Sequence, residues 1–289
     1  MIVVTGASGK LGHAIVKCLL LSLPADRITA NLRNPDKAGD LRGSGVRIVQ
    51  ADYEDGDSLR RAFTGAEQVL VVSSNAAAHG GDPLAQHGNV IATAKEAGVG
   101  RLIYTSHMAA SATSAFPPMH THYTTEQMLR DSGLAWTALR DGFYASSIVA
   151  MLRQGIEAGV TAFPEDGKVS WTAHADLAEA AAAVLTQPGR FDGPTPPLTA
   201  QEALDLEDIA AIASTVVGHP VRRETVSDDE MAARLGAQGV PAAVVPITLG
   251  MFRASRADEF ATVDPTLATL IGRPTTPLSQ VLAEELPVK

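Results

Sequence analysis

Residues 3–12 read VVTGASGKLG and place Gly6, Gly9 and Gly12 at intervals of three, directly after an apolar run. The apolar run is typical of a buried strand, and apolar residues recur at helical spacing over residues 10–22. A helix that begins straight after a buried strand presents unpaired N–H groups and the positive end of its dipole, which suit a pyrophosphate. An ordinary tight turn also uses glycines. The position after the first strand favours a dinucleotide-binding turn.

The same alternation of apolar strands and amphipathic helices continues through the first two-thirds of the chain. Predicted strands after the first are RITANL, VRIVQAD, QVLVVSS, RLIYTS and AWTALRDG. The segments between them include the predicted helices DGDSLRRAFTG, PLAQHGNVIATAKEAG and YTTEQMLRDSG. This pattern predicts an α/β fold, a Rossmann-type doubly wound parallel sheet with helices on both faces.

The alternation weakens from about residue 145, which gives the predicted domain boundaries. We expect residues 1–150 to form a dinucleotide-binding domain and residues 165–198 to return to its sheet. Residues 199–289, with part of 145–165, are predicted to form a smaller, mostly helical substrate lobe that closes over the strand ends. The sequence shows no internal repeat.

Composition and charge exclude several classes of protein. The 289 residues are 45% hydrophobic and 19% charged, as in a soluble globular protein. The net charge is −9, and the basic residues form no cluster, which argues against nucleic acid as a partner. The run AIVKCLLLSL contains Lys17 and is too short to span a bilayer. We therefore expect a cytoplasmic protein with no membrane partner, in which the single cysteine, Cys18, packs as a small apolar residue.

The end of the second predicted strand indicates which dinucleotide binds. An acidic residue at this position would bind a ribose 2′-hydroxyl, but the sequence there is ANLRNPDK, with Arg33 in that place and Lys37 four residues later. A guanidinium can bind a 2′-phosphate through charge-assisted hydrogen bonds. We therefore predict NADP(H) as the cofactor; the alternative is that Arg33 is a solvated surface residue.

Ligands of doubly wound sheets bind beyond the carboxyl ends of the strands, which defines further candidates. Residues that directly follow predicted strands are Gly6 to Gly12, Arg33, Asp52, Ser73, Ser74, Asn75, Ser106, Asp141, Gly142, Phe143 and Tyr144.

Read in order, the motifs TGASGKLG, LRNPDKA, ADYED, VVSS, YTS and LRDGFY resemble the atypical short-chain dehydrogenase/reductases of the NmrA-like group. Within that group, the chain is most similar to the bacterial NADPH:quinone oxidoreductase and triphenylmethane reductase type. The resemblance extends to EQMLRDSG, DGKVSWTAHADLA and LIGRPTTPL, so it covers nearly the whole chain.

The resemblance implies a role for each matching position. The pyrophosphate would lie against Gly6, Ala7, Ser8, Gly9, Lys10 and Leu11. Asp52 would lie near the adenine, residues 73–75 along the nicotinamide-side ribose, and residues 141–144 beside the nicotinamide. The relatives usually carry asparagine where this chain has Asp141, and an ionised carboxylate can only accept hydrogen bonds.

The proton donor of ordinary short-chain dehydrogenases, the Tyr-x-x-x-Lys pair, is missing. Tyr123 is followed four residues later by Gln127, not lysine. His122, which matches a histidine of the resembled subgroup, is the best substitute, with Glu126 one helical turn away to orient it. His122 could equally be a surface histidine. Tyr144 is the second candidate donor, although it could be a core residue.

These observations favour an NADPH-dependent reductase that transfers hydride to an electrophilic small molecule, most readily a quinone-like or conjugated acceptor. Two alternatives remain: a ketone or imine reductase of a specialised pathway, and an NADP(H)-binding redox sensor without turnover. We expect no metal, a small-molecule acceptor as partner, and a monomer or homodimer.

Overall fold

The computed structural model of the chain describes residues 1–286. Its elements, in chain order, are β1 (Ile2–Val4), α1 (Lys10–Leu20), β2 (Ile28–Leu32), β3 (Arg47–Gln50), α2 (Gly56–Phe63), β4 (Gln68–Val71), α3 (Pro83–Glu96), β5 (Arg101–His107), α4 (Pro118–Asp131), β6 (Ala135–Asp141), β7 (Phe143–Tyr144), α5 (Ala145–Ala158), β8 (Val160–Pro164), β9 (Trp171–Thr172), α6 (His174–Thr186), β10 (Gly193–Pro194), α7 (Leu206–Val217), β11 (Arg222–Val226), α8 (Asp228–Ala237), α9 (Val245–Arg256), α10 (Thr266–Ile271) and α11 (Leu278–Glu285). Short 3-10 helices span Ala25–Arg27, Pro35–Gly43 and Ala76–His79.

Seven strands form one sheet in the order β10-β6-β5-β4-β1-β2-β3. β1 pairs in parallel with β2 and with β4, and the pairs β2–β3, β4–β5 and β6–β10 are also parallel. The chain therefore starts in the middle of the sheet and winds outward in both directions, which is the Rossmann arrangement. The predicted fold class is confirmed.

The strands are buried on both faces because helices cover both. Side chains alternate between the faces of a strand, and Val3, Val69 and Val71 share an apolar cluster with residues of α2 and α3. α1 packs against α6. β1 and β2 are accordingly buried along their whole length, as are the last three residues of β4, without the alternation in exposure of a half-buried strand.

The chain divides into two compact units. Unit 1 comprises Met1–Ser106, Thr121–Arg140 and His174–Pro196 and holds the body of the seven-stranded sheet. Unit 2 comprises His107–His120, Asp141–Ala173 and the described chain from Pro197 onward. Residues 107–120 and 141–150, which the sequence analysis placed in the first domain, group here with unit 2.

Unit 2 has its own core, built mostly by helices as expected. Trp171, Phe252 and Phe260 pack there with apolar residues of α5, α7 and α11. Two small parallel sheets, β8 with β11 and β7 with β9, complete it. In the segment PAAVVPITLGMF, Leu249 and Phe252 of α9 are buried.

α4 begins at Pro118, five residues before the helix predicted from YTTEQMLRDSG. Proline suits the first turn of a helix because its missing N–H would have no partner there. Within residues 1–286, the structure contains no helix that is both long enough and apolar enough to cross a bilayer.

Candidate functional site

The glycine-rich turn joins β1 to α1 in a shape that depends on its glycines. Gly6 has a φ of +61°, in the left-handed region that favours glycine. The N–H of Gly9 donates to the carbonyl oxygen of Gly6 at 2.9 Å, which closes the turn. A Cβ on Gly12 would lie 2.8 Å from the carbonyl carbon of Gly6 and closer still to its oxygen. Gly12 therefore lets the first turn of α1 pack directly on the loop.

The N-terminus of α1 has no side-chain cap. Its N-cap residue, Gly9, provides no capping hydrogen bond, and no acidic residue lies in the first turn. α2 and α3, in contrast, are capped by the carboxylates of Asp55 and Asp82. The first N–H groups of α1 and its positive dipole end are therefore available to an anion such as a pyrophosphate.

A pocket of about 440 Å³ opens beside this turn. It is lined by Gly6, Ser8, Gly9, Asn31, Arg33, Ala51, Asp52, Tyr53, Glu54, Val72, Ser73, Ser74, Asn75, Ala76, His79, Gly81 and Gln86. The structure thus brings together eight of the predicted cofactor residues, from the loop after β1, the end of β2, the end of β3 and the loop after β4. These residues fit the phosphate and adenosine parts of a dinucleotide.

Several predicted cofactor residues do not line this pocket. Ala7, Leu11 and Gly12 are buried behind the turn, and Lys10 and Lys37 are exposed outside the pocket lining. Ser106 is 2% exposed and donates from its hydroxyl to Glu126 at 2.7 Å.

Arg33 also borders a second depression, of about 660 Å³, which shares Ala51 and Asp52 with the first. Two further arginines, Arg47 and Arg61, line this depression. Within residues 1–286, the guanidinium groups of these three arginines form no hydrogen bond and no salt bridge. The guanidinium of Arg33 is therefore not paired directly with a neighbouring carboxylate, as the binding of a 2′-phosphate requires.

Tyr53 is a pocket residue that the sequence analysis missed. Its hydroxyl hydrogen-bonds to Thr5 Oγ1 and donates to the carbonyl oxygen of Val72 at 2.8 Å, joining the ends of β1 and β4. Burial raises the pKa of the Tyr53 phenol above its ordinary value, so it is neutral. It follows Asp52 in ADYED, but nothing in that motif distinguishes its side chain from a core tyrosine.

Gln86 links two sides of the pocket and was also missed. It hydrogen-bonds to the hydroxyl of Ser74, and its Nε2 donates to Glu54 Oε1 at 2.8 Å. Gln86 lies on α3, so this helix contributes to the pocket as well as to the core.

His122 has a different orienting partner from the one predicted. Its Nδ1 lies 2.9 Å from the hydroxyl of Tyr104, a residue that is 1% exposed. Glu126, the expected partner, accepts instead from Ser106 and from Arg140, whose Nη2 is 2.7 Å from Oε2. A buried carboxylate needs a charged partner, so Glu126 pairs with Arg140 and not with His122, one turn away on the same helix.

The predicted residues at the end of β6 belong to unit 2. Asp141 is 2% exposed, and its Oδ1 has no hydrogen-bond partner within residues 1–286. Burial raises the pKa of the Asp141 carboxyl well above its usual range. The next residue, Gly142, has no room for a Cβ, which would lie 3.0 Å from the carbonyl oxygen of Leu198 and would overlap the Thr172 hydroxyl. Burial of Asp141 thus favours its neutral form, which can donate a hydrogen bond as asparagine does.

Phe143 and Tyr144 follow directly and form β7, immediately before α5. Phe143 packs in an aromatic cluster of unit 2, with ring centroids 5.3 Å from His107, 5.1 Å from Trp171 and 5.2 Å from Phe260. Burial lowers the pKa of His107 to about 3, so its ring is neutral. Tyr144 is half-buried at the N-cap of α5.

Lys168 binds the carboxylates at the start of α7. Its Nζ is 2.9 Å from Asp205 Oδ2 and also contacts Asp208. These two aspartates form the capping box of α7, so Lys168 stabilises that helix N-terminus.

Comparison with known proteins gives one consistent result. The NmrA-like family matches residues 1–271. Quinone oxidoreductase 2 of Escherichia coli (strain K12) is 36% identical over 285 residues, covering 97% of this chain and 96% of that protein. The crystal structure of an NADPH-dependent quinone oxidoreductase from Escherichia coli, complexed with NADPH, has a TM-score of 0.91 and 35% identity, over 98% of this chain and 99% of that one. The Citrobacter sp. triphenylmethane reductase complexed with NADP(H) has a TM-score of 0.89 and 33% identity, over 99% of this chain and 100% of that one. The glycine-rich turn, the pocket and these similarities along the chain agree with the resemblance in the motifs, and the chain belongs to the NmrA-like family.

Proposed function

We propose that the protein is an NADPH-dependent reductase that transfers hydride to a quinone-like or other conjugated acceptor. The observation that carries this proposal is the pocket beside the uncapped N-terminus of α1, with Arg33 at its edge. Similarity to reductases described with quinones and triphenylmethane dyes, at 33–36% identity over at least 97% of the chain, supports the reaction class.

Arg33 selects NADPH over NADH in this proposal. It stands where an acidic residue would bind the 2′-hydroxyl of NADH, and its guanidinium has no carboxylate partner within residues 1–286. The adjoining depression is lined by Arg47 and Arg61 besides Arg33, and by Asp52 and Asp55, so its arginines outnumber its carboxylates. The guanidinium of Arg33 would therefore bind the 2′-phosphate without first breaking a salt bridge to a carboxylate.

Bound NADPH would supply hydride from the nicotinamide C4, so the protein's task is mainly to position the cofactor and the acceptor. The main chain of α1 and the turn before it would hold the pyrophosphate, and Asp52 and Tyr53 would border the adenosine. Residues 73–75 would lie along the second ribose, and residues 141–144 beside the nicotinamide.

His122 would supply a proton where the acceptor needs one. Burial raises the pKa of the Tyr104 phenol above its ordinary value, so Tyr104 is a neutral donor. When Tyr104 donates to Nδ1 of His122, the proton of the neutral imidazole is on Nε2. Tyr104 would thus fix the tautomer that can donate from Nε2. Tyr144 is the alternative donor.

The test is NADPH oxidation with a panel of acceptors: 1,4-benzoquinone, menadione, a triphenylmethane dye, ketones and imines. We expect turnover with quinones or the dye. Turnover with ketones or imines alone would favour a specialised carbonyl or imine reductase. Tight NADPH binding without any turnover would favour a redox sensor.

A further inference from the structure

Successive backbone amides in one wall of the cofactor pocket are bound from behind by buried side chains. The bonds run from Val72 N to Thr5 Oγ1 (3.0 Å), from Ser73 N to Thr105 Oγ1 (2.8 Å) and from Ser74 N to His87 Nε2 (2.9 Å). The three acceptors come from the end of β1, from β5 and from α3, and each is at most 1% exposed. None of them lines the pocket. These amides therefore point into the protein, and side chains set the path of residues 72–74.

His87 differs from the two threonines because both of its ring nitrogens are used. Nε2 accepts from Ser74, so the proton of the neutral ring lies on Nδ1, which is 2.8 Å from Thr125 Oγ1. The hydroxyl of Thr125 in turn donates to the carbonyl oxygen of Thr121 at 2.8 Å. The ring thus connects the pocket wall to α4, the helix that carries His122.

The surroundings of His87 keep its imidazole ring neutral, which is the form that makes both hydrogen bonds. The ring packs edge-on against Tyr104, with centroids 5.2 Å apart. Burial lowers the pKa of His87 to about 4, although the carboxylate of Asp82 at the start of the same helix acts in the opposite direction. At neutral pH the ring accepts from Ser74 and donates to Thr125 at the same time.

We propose that His87 is a positioning residue that anchors the Ser74 amide and so fixes the pocket wall in the shape that binds NADPH. The expected effect on NADPH binding rests on the proposed function. The anchoring of the Ser74 amide by His87 does not. Removing the acceptor leaves a buried N–H unsatisfied, which is unfavourable, so the wall would move to find another partner. NADPH would then bind more weakly, because part of the binding free energy would be used to order that wall again.

The experiment compares three variants with the wild-type protein. His87→Leu removes the acceptor and keeps an apolar side chain. His87→Gln can place an amide oxygen near the position of Nε2. Val90→Ala is the matched control: Val90 is on the same helix, fully buried in the apolar cluster, and outside the pocket lining. Amide hydrogen exchange over residues 72–76 is measured without cofactor, and the Kd for NADPH is measured separately.

For His87→Leu we expect exchange over residues 72–76 to rise about tenfold and the Kd for NADPH to rise by a similar factor, since tenfold corresponds to about 1.4 kcal/mol. His87→Gln should restore both to within about threefold of wild type. Val90→Ala should lower Tm while both readouts keep their wild-type values.

Wild-type exchange over residues 72–76 in His87→Leu, with only a lower Tm, would overturn the proposal and make His87 an ordinary core histidine. Each of the two proposals can be contradicted independently of the other. A wild-type protein that does not bind NADPH contradicts the proposed function, whereas exchange in the cofactor-free protein still decides whether His87 anchors the wall.

Discussion

The hydroxyl of Tyr104 lies 2.9 Å from Nδ1 of His122, and Tyr104 is almost completely buried. The pair places a fixed imidazole on α4 in a chain whose Tyr123 lacks the lysine of ordinary short-chain dehydrogenases. In the proposed function, Tyr104 orients His122, a task that a carboxylate performs in other enzymes.

Replacing Tyr104 by phenylalanine should separate acceptors by their need for a proton. A ketone takes up a proton with the hydride, whereas hydride alone neutralises a cationic triphenylmethane dye. We expect Tyr104→Phe to lower kcat about tenfold for a ketone, because His122 loses the hydroxyl that orients its Nδ1, and less than about threefold for the dye. The measurement is kcat for both acceptors at saturating NADPH. Tyr123→Phe, on the exposed side of the same helix, is the control; equal losses with both acceptors would contradict the role of His122.

Arg33→Asp should weaken the use of NADPH far more than the use of NADH. Losing charge-assisted hydrogen bonds to a 2′-phosphate costs roughly 1.5–3 kcal/mol, so kcat/KM for NADPH should fall at least about tenfold. The value for NADH should stay within about threefold, since an aspartate can accept from the 2′-hydroxyl. Arg222→Asp makes the same charge change at an exposed arginine in unit 2 and should alter neither. Equal losses for both cofactors in Arg33→Asp would show that Arg33 is a general surface charge.

Gly9 and Gly12 of the turn should differ in their tolerance of alanine. A Cβ on Gly12 would overlap the Gly6 carbonyl group, whereas a Cβ on Gly9 would lie 3.4 Å from the Gly6 oxygen. We expect Gly12→Ala to lower Tm and to weaken NADPH binding more than tenfold, since overpacking of this kind costs roughly 1–3 kcal/mol. Gly9→Ala should cause much smaller losses. Gly43→Ala, which meets nothing within 4 Å, is the control for alanine itself. Similar results for Gly9 and Gly12 would be incompatible with this packing of α1.

Asp141→Asn should stabilise the protein increasingly as the pH rises. The folded-state pKa of Asp141 lies above its unfolded value, so the folded protein binds the extra proton between those two values and loses stability as the pH rises through them. Asparagine has nearly the same shape and does not titrate. Unfolding by urea should therefore show Asp141→Asn and wild type to be similar near pH 4, with a gain of at least about 1 kcal/mol for the variant at pH 8. A constant difference at both pH values would argue against a buried, neutral Asp141.

The parts of the site that the sequence predicted depend on local chemistry. The turn of Gly6 and Gly12 follows from backbone geometry, and the position of Arg33 follows from the rule that ligands bind at the carboxyl ends of parallel strands. The same rule placed Asp52 and residues 73–75 in the pocket, where the structure also has them.

The features of the site that the sequence did not predict depend on contacts between segments that are far apart in the sequence. Thr5 holds the amide of Val72 across 67 positions, and Gln86 reaches Glu54 across 32. In the sequence, His87 looks like an ordinary residue of an amphipathic helix. Glu126 was assigned to His122 because the two are one turn apart, but burial makes a carboxylate bind the nearest cation, and Arg140 becomes its neighbour only once β6 has joined the sheet.

NADPH-dependent reduction is tested most directly by following NADPH absorbance after mixing the wild-type protein with menadione or a triphenylmethane dye, with NADH in parallel. We expect sustained oxidation of NADPH, with a kcat/KM at least about tenfold higher than that for NADH. No oxidation of NADPH with any acceptor, by protein that demonstrably binds it, would contradict the assignment as a reductase and favour a cofactor sensor.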